Sequence, residues 1–412
     1  MSTTAEVLLV PIPHPGHLFP FAELCSKLTL KGLRITILYP SHSDPPSSLL
    51  SHPLVHVRRY PHSHELDPPQ VQSLISRHVS DYIDGRDRPC AAVAVVDDLL
   101  SWLVDSLSSR GVPAAVFFTT SAASCAIDRA VDGLPRGEIL AVEGLPDMGV
   151  TSSVPRPGAP KWRPGPTVGR LAAAGSAVAL LFNTCRELER PFLDYMAREE
   201  GKPVWAVGPL LRPGGEPEGE GGDAIRWLDR KPRGSVIYVS FGSLVRPGDA
   251  ELAVLADGLV ESNRDFIWVT KSDQLADRLA GTRGLVVKGW APQLAILGHA
   301  STGGFVCHCG WNSTLEALRS GVPMLTWPVR GDQFLNARLV THFLKVGIPL
   351  KEEADVEVKR GDVAGRIERL LGDVDIKKRA ESVRSLVGSG GFPESSSESV
   401  DRFVEFVSGH GK

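Results

Sequence analysis

Short, unbroken apolar runs recur along the chain, and each closes on a Gly/Pro-rich or polar turn that leads into a stretch of helical periodicity. VLLV at residues 7–10 stops at the loop PIPHPGH; Leu18, Phe21, Leu24 and Leu28 then recur at near-helical spacing, and Gly32 supplies a stop. RITILYP at 34–40 reads as the next strand, so the opening is one parallel strand–helix–strand unit. AAVAVVDD, PAAVFFT and AVALLFNT, beginning at residues 91, 113 and 177, repeat the theme. Runs that are continuously apolar, rather than alternating, predict strands covered on both faces.

The pattern breaks at residues 211–222, LRPGGEPEGEGG, where five glycines, two prolines and three glutamates cannot pack a core. The same grammar then restarts with SVIYVSFGS, a helix over residues 250–262, FIWVT, GLVVKGW, GGFVCHC, a further helix and VPMLTWP. The expected fold is α/β, with two facing Rossmann-like domains. Residues 1–210 would form the first, 211–222 a linker and 223–393 the second. A last helix in 394–412 carries Val400, Phe403, Val404 and Val407 on one stripe and must dock, with the first domain as one candidate. Sheets of this kind bind ligands beyond the carboxyl ends of their strands. Two of them facing each other would place a cleft between the domains.

Composition narrows the class. With 42% hydrophobic and 23% charged residues in 412, disordered and fibrous proteins are excluded. A net charge of −3 gives no reason to expect nucleic acid or an anionic membrane as partner. Six cysteines in so long a chain are no disulfide framework and read as reduced thiols. The N-terminus lacks the basic segment of a signal peptide, and nowhere do eighteen apolar residues run together. The expectation is a cytoplasmic, multidomain protein without a membrane span, working as a monomer.

The densest chemical signal lies between residues 290 and 333. A strand ends at His308-Cys309-Gly310, and a helix begins near Asn312-Ser313. Gly310 permits close approach of a ligand, and a helix N-terminus attracts anions, phosphate above all. Ser313-Thr314-Leu315-Glu316 also spells a capping box, which would make Ser313 and Glu316 structural instead. Cys307, His308 and Cys309 are adjacent along a strand, where neighbouring side chains point to opposite faces, so a zinc site is not expected.

The whole segment resembles the signature box of the plant family 1 UDP-dependent glycosyltransferases, which act on secondary products. The match holds without a gap at Trp290, Gln293, His308, Gly310, Trp311, Asn312, Ser313, Glu316, Asp332 and Gln333, and the likeness extends to GSVIYVSFGS and the PGHLFP loop. The resemblance implies the GT-B architecture with its active site in the inter-domain cleft, and metal-independent transfer from a UDP-sugar with no cofactor. It implies that Trp290 stacks under uracil, beside Ala291, that Gln293 helps hold base or ribose, and that Glu316 accepts from both ribose hydroxyls. It assigns His308, Asn312, Ser313 and Ser243 to the phosphates, and Trp311, Asp332 and Gln333 to the sugar, with Gln333 favouring glucose.

Transfer to a hydroxyl needs a base, and histidine is suited to that near neutral pH. His17 follows the first strand at the start of the first helix, and Asp97 ends a neighbouring strand, where a carboxylate can orient the base. Asp97 can equally cap the helix that follows it. The resemblance selects His17 over His14 as base, Asp97 over Asp98 through the frame from Asp97 to Asp105, and Thr119 as a sugar contact. Asp373-Val374-Asp375 imitates a metal-binding motif, but helix capping explains it better. The glycine fingerprint of nicotinamide enzymes is absent. The expected function is inverting transfer of glucose from UDP-glucose to a small lipophilic acceptor, a flavonoid, other phenolic or terpenoid. Transfer to a phenolic ring carbon and a non-catalytic nucleotide-sugar-binding role are the alternatives.

Overall fold

A computed structural model describes residues 5–62, 68–85, 91–130, 143–148, 174–211, 220–242, 245–352, 356–388 and 391–410. Those residues fall into two compact units. One draws on Met1–Asp132, Arg163–Arg212 and Phe392–Lys412, the other on Gly133–Trp162 and Pro213–Gly391.

The first unit is built on seven strands: β1 (Glu6–Val10), β2 (Arg34–Pro40), β3 (Val55–Tyr60), β4 (Val93–Asp97), β5 (Ala114–Phe118), β6 (Ala179–Phe182) and β7 (Val204–Ala206). They pair in parallel in the order β3-β2-β1-β4-β5-β6-β7. Every residue of β1, β4, β5 and β6 is buried, as their largely apolar sequences require once helices cover both faces, with Glu6 and Asp97 the two charged exceptions. Strand order reverses between β1 and β4, so the crevice for a ligand opens at the carboxyl ends of these two strands.

The last helix, Glu394–His410, belongs to this unit. Val400, Phe403 and Val407 join its core, with Val404 packed alongside, and Trp205 meets the rings of Phe403 and Phe406 edge-on. Each fully buried side chain of that size is worth roughly 1.5–3 kcal/mol, enough to hold the helix in place.

The second unit carries β8 (Val236–Ser240), β9 (Asp265–Thr270), β10 (Gly284–Lys288), β11 (Thr302–Cys307), β12 (Met324–Thr326) and β13 (Gly347–Pro349). All are parallel, in the order β10-β9-β8-β11-β12-β13. Here the order reverses between β8 and β11.

The boundaries differ from the sequence reading in three places. Leu211 is buried with the first unit, whereas a helix already begins at Glu220, so both ends of the glycine-rich stretch at 211–222 are used by the flanking units. Residues 143–148 group with the second unit although they precede β6. The return to the first unit occurs at Phe392, just before the last helix. No helix among the described residues is long and apolar enough to cross a membrane.

Candidate active site

In the first unit the chain leaves β1 through a loop whose His14 N-caps the helix Pro15–Leu30, its Nδ1 accepting from the Gly16 amide at 3.3 Å. Pro15 at the first helical position has its φ set for this role. His17 follows in the first turn. Its Nδ1 lies 2.8 Å from Oδ2 of Asp97, the last residue of β4. The two histidines therefore do different work, one closing the helix and one meeting an acid.

Asp97 is fully buried, while the His17 side chain keeps 20% of its surface exposed. The other carboxylate oxygen of Asp97, Oδ1, accepts from the Leu99 amide at 3.0 Å and caps the short turn Asp98–Leu100. Contact with His17 and capping of the turn thus coexist, one oxygen each. Because a carboxylate only accepts, it fixes the proton of His17 on Nδ1 and makes Nε2 the basic nitrogen. Thr119, just past β5, brings its Oγ1 to 2.9 Å from the same Nδ1. The resemblance assigned Thr119 to the sugar; its hydroxyl here lies against the His17 ring.

Among the described residues, His17, Asp97 and Asp98 are the one group of three whose ligand atoms lie within 4.8 Å of one another, as a metal would need. The hydrogen bond between His17 and Asp97 accounts for that proximity by itself.

In the second unit the ends of β8 and β11 converge. Gly242 follows β8 at φ +71°, and His308 follows β11. A Cβ at Gly242 would sit 3.0 Å from the His308 ring, and one at Gly310 would sit 2.5 Å from His308 Nε2. Both glycines are there so that the imidazole can lie between the two turns. Ser243 falls outside the described residues.

The helix Trp311–Ser320 starts with Gly310 as N-cap, so Ser313 is already its third residue. This excludes a capping box at Ser313 and Glu316. Instead Gln293, opening the helix Gln293–Gly298, donates from Nε2 to Ser313 Oγ at 3.0 Å and to Glu316 Oε2 at 2.5 Å. Its Oε1 accepts from the Tyr238 hydroxyl at 3.1 Å. Burial pushes the Tyr238 phenol up from its ordinary value, so it remains a donor. Gln293 is thereby a strut between β8 and the Trp311–Ser320 helix, and Tyr238 is a participant that no motif in the sequence singles out.

Trp290 stands in the loop after β10 with 63% of its surface exposed, unlike the other tryptophans of this unit's core, Trp268 and Trp327. Ala291 beside it is buried, and its carbonyl accepts from the Gln293 amide at 2.8 Å. The side chain of Trp311 is buried, and Asn312 occupies the second position of its helix.

Asp332 accepts from Asn336 Nδ2 at 3.0 Å, and Asn336 also donates to the Cys309 carbonyl at 3.0 Å. Asn336 is fully buried and ties the Asp332 turn to the end of β11; its spacing of four from Asp332 was the only signal for it. Gln333 Oε1 accepts from the amides of Val329 and Arg330 at 2.9 and 3.0 Å, which leaves its NH₂ as the group able to address a ligand.

Cys309, at φ +61°, donates its amide to Cys307 Sγ at 3.1 Å. Burial opposes ionisation of Cys307, yet hydrogen bonds from Cys309 and His308 hold its thiol below the ordinary range. Asp373 N-caps the helix Val374–Leu386, accepting from Asp375 and Ile376 at 3.0 and 2.9 Å.

Comparison with known proteins places this geometry in a family. The family model described as UDP-glucoronosyl and UDP-glucosyl transferase matches residues 226–380. The chain is 32% identical over 433 residues to UDP-glycosyltransferase 89A2 of Arabidopsis thaliana, covering 93% of this chain and 91% of that one. It belongs to the plant UDP-glycosyltransferases.

Two solved structures agree. Medicago truncatula UGT71G1, complexed with UDP-glucose, superposes with a TM-score of 0.84 at 24% identity, over 98% of each chain. A UDP-glucosyltransferase from Polygonum tinctorium capable of glucosylating indoxyl, in complex with 3,4-dichloroaniline, gives 0.80 at 27% identity, over 99% of each. The two parallel α/β units are those of the GT-B fold. As a plant UDP-glycosyltransferase, the protein is an enzyme that moves sugar from a UDP-sugar to small acceptors.

Proposed function

We propose that this glycosyltransferase moves glucose from UDP-glucose, with inversion, to a hydroxyl of a small lipophilic acceptor. The observation that carries the reading is the 2.8 Å contact between His17 Nδ1 and the buried Asp97 carboxylate, which orients the ring with Nε2 as its base. His17 Nε2 takes the acceptor's hydroxyl proton. The oxygen then bonds to the anomeric carbon as the bond from that carbon to the diphosphate oxygen breaks, and UDP departs with the electron pair. Asp97 stabilises the imidazolium that results.

On the donor side, Trp290 would stack on uracil with Ala291 shaping the turn, and Glu316, braced by Gln293, would accept from the ribose hydroxyls. His308, Asn312, Ser313 and Ser243 would bind the diphosphate at the positive end of the Trp311–Ser320 helix, beside Gly310. Asp332, Gln333, Trp311 and Thr119 would meet the sugar. This arrangement meets phosphate charge without a metal. The five described cysteines carry free thiols, which supports a reducing, cytoplasmic setting. One chain holds both the dyad and the donor residues, so the reading needs no second subunit.

The glucose assignment draws on the glucosyl activity named for the Polygonum relative, and the acceptor class on the indoxyl named there. Incubation with UDP-glucose and a panel of phenols, with products identified by mass and NMR, tests it. The expected product is a β-glucoside linked through oxygen. A carbon-linked product, or none across the panel while UDP is bound, overturns it.

A further inference from the structure

Residues 119–121 connect β5 to the helix Ala122–Ala130, and Thr119 in this turn touches the proposed base. The N-terminus of that helix is buried, so each of its first amides needs a partner. Ser121 Oγ takes the Ser124 amide at 3.0 Å, and the Ser121 carbonyl takes that of Cys125 at 3.3 Å. The remaining two are met from elsewhere in the chain. Glu189 accepts from Ala122 through Oε2 at 3.2 Å and from Ala123 through Oε1 at 2.8 Å.

Glu189 reaches this position through a distortion of its own helix. Within Arg186–Glu200 it departs from helical geometry, at φ −132° and ψ 25°, two residues before Pro191. The kink turns a carboxylate inward from a helix otherwise rich in surface charge, and it becomes completely buried. Burial pushes its carboxyl up to about 7 against the pull of the Ala123 amide, the Thr184 side chain and the Ala122 amide. An apolar residue would fill the volume without that desolvation cost, yet would leave two amides unmet.

We infer that Glu189 is a positioning residue for the base: by clamping the N-terminus of the Ala122–Ala130 helix it fixes the turn that holds Thr119 against His17 Nδ1. Thr119 and Asp97 then pin the imidazole from one side, and Glu189 acts on His17 only through Thr119. The inference rests on His17 as base.

The test is a double-mutant cycle of Glu189→Gln and Thr119→Val, with His17→Ala alongside. Glutamine has one acceptor oxygen for two amides, so the turn loosens while volume is kept. Glu189→Gln should lower kcat about tenfold or more, as small misplacements of a catalytic group do, with KM for UDP-glucose within about twofold. The double variant should be no slower than the slower single, because both act on one contact. Wild-type kcat in folded Glu189→Gln, or losses that multiply in the double variant, overturns the inference. Full activity in His17→Ala instead removes the base assignment, a separate result. Should Glu189→Gln fail to fold, Ala122→Pro keeps the carboxylate and deletes one of its two donors at a helix position that accepts proline. It should also lower kcat, and unchanged kcat there overturns the inference equally.

Discussion

Replacing Asp97 by asparagine separates the shape of this side chain from its chemistry. Both carboxylate oxygens accept: Oδ2 from His17 Nδ1 at 2.8 Å, Oδ1 from the Leu99 amide at 3.0 Å. Asparagine offers one acceptor and one donor in the same volume. If its oxygen stays on Leu99, its NH₂ faces His17 and forces the ring proton to Nε2, which abolishes the base. If it turns, two donors meet at Leu99 and the capping bond is lost, at about 1 kcal/mol. The expected fall in kcat is about 10²–10⁴-fold, or roughly 3–6 kcal/mol at about 1.4 per tenfold. UDP affinity should stay within about twofold, since the hydrogen bonds of Asp97 among the described residues go to His17 and Leu99. Initial rates across phenols of graded acidity, with UDP binding followed by tryptophan fluorescence, make the measurement. The more acidic phenols should recover part of the loss because they need less help to ionise. A variant keeping more than about a tenth of the wild-type kcat, or one losing UDP affinity in proportion, would refute the reasoning.

Trp290→Ala should weaken UDP binding about 10–100-fold, the worth of one base–aromatic stack, without lowering Tm, because the indole is 63% exposed and packs little against the fold. Gln333→Glu keeps the oxygen that anchors the Val329 and Arg330 amides but removes the NH₂. It should erode the preference for UDP-glucose over UDP-galactose about tenfold while UDP affinity holds, and unchanged preference in a three-donor competition would refute it. Glu189 sits at about 7 in the folded protein against 4.5 as the ordinary value, so the fold holds its proton more tightly than the unfolded chain does. Stability should therefore fall as pH rises from about 4.5 to about 7, by at most about 3 kcal/mol, and Tm of Glu189→Gln should lack that slope. Extensive dialysis against a chelator should leave activity intact; dependence on a divalent ion would reopen the roles of Asp98, Asp373 and Asp375.

Much of this architecture was legible because burial on both faces leaves a plain mark. The runs that became β1, β4, β5, β6, β8 and β11 are apolar through their centres, with polar residues only at their ends, and the turns after β1, β8 and β11 carry glycines or histidines. The pairing of His17 with Asp97 was suggested by resemblance, and the structure supplies what the sequence withheld: His14 caps its helix, while His17 lies against the acid. The capping-box reading of Ser313 and Glu316 fails for a reason of phase. The helix begins at Trp311, two residues before Ser313, and neither side chain is then placed to close its end.

What stayed hidden has one cause, which is that a polar side chain's partner is set by tertiary distance and not by its neighbours in sequence. Glu189 lies in RELERP, a run that reads as solvated helix surface, and only a kink three residues into that helix turns it into the core. Gln293 and Gln333 show the same thing at the donor site. The resemblance gave both amides to the ligand, Gln293 to base or ribose and Gln333 to the sugar. In the folded chain Gln333 spends its oxygen on two backbone amides, and Gln293 spends oxygen and nitrogen together on Tyr238, Ser313 and Glu316. Such groups are held by the fold itself, so they add rigidity where a free amide would add adaptability. Selectivity for the sugar must then come from a few committed hydrogen bonds, which reject a misplaced hydroxyl by leaving a buried group unpaired.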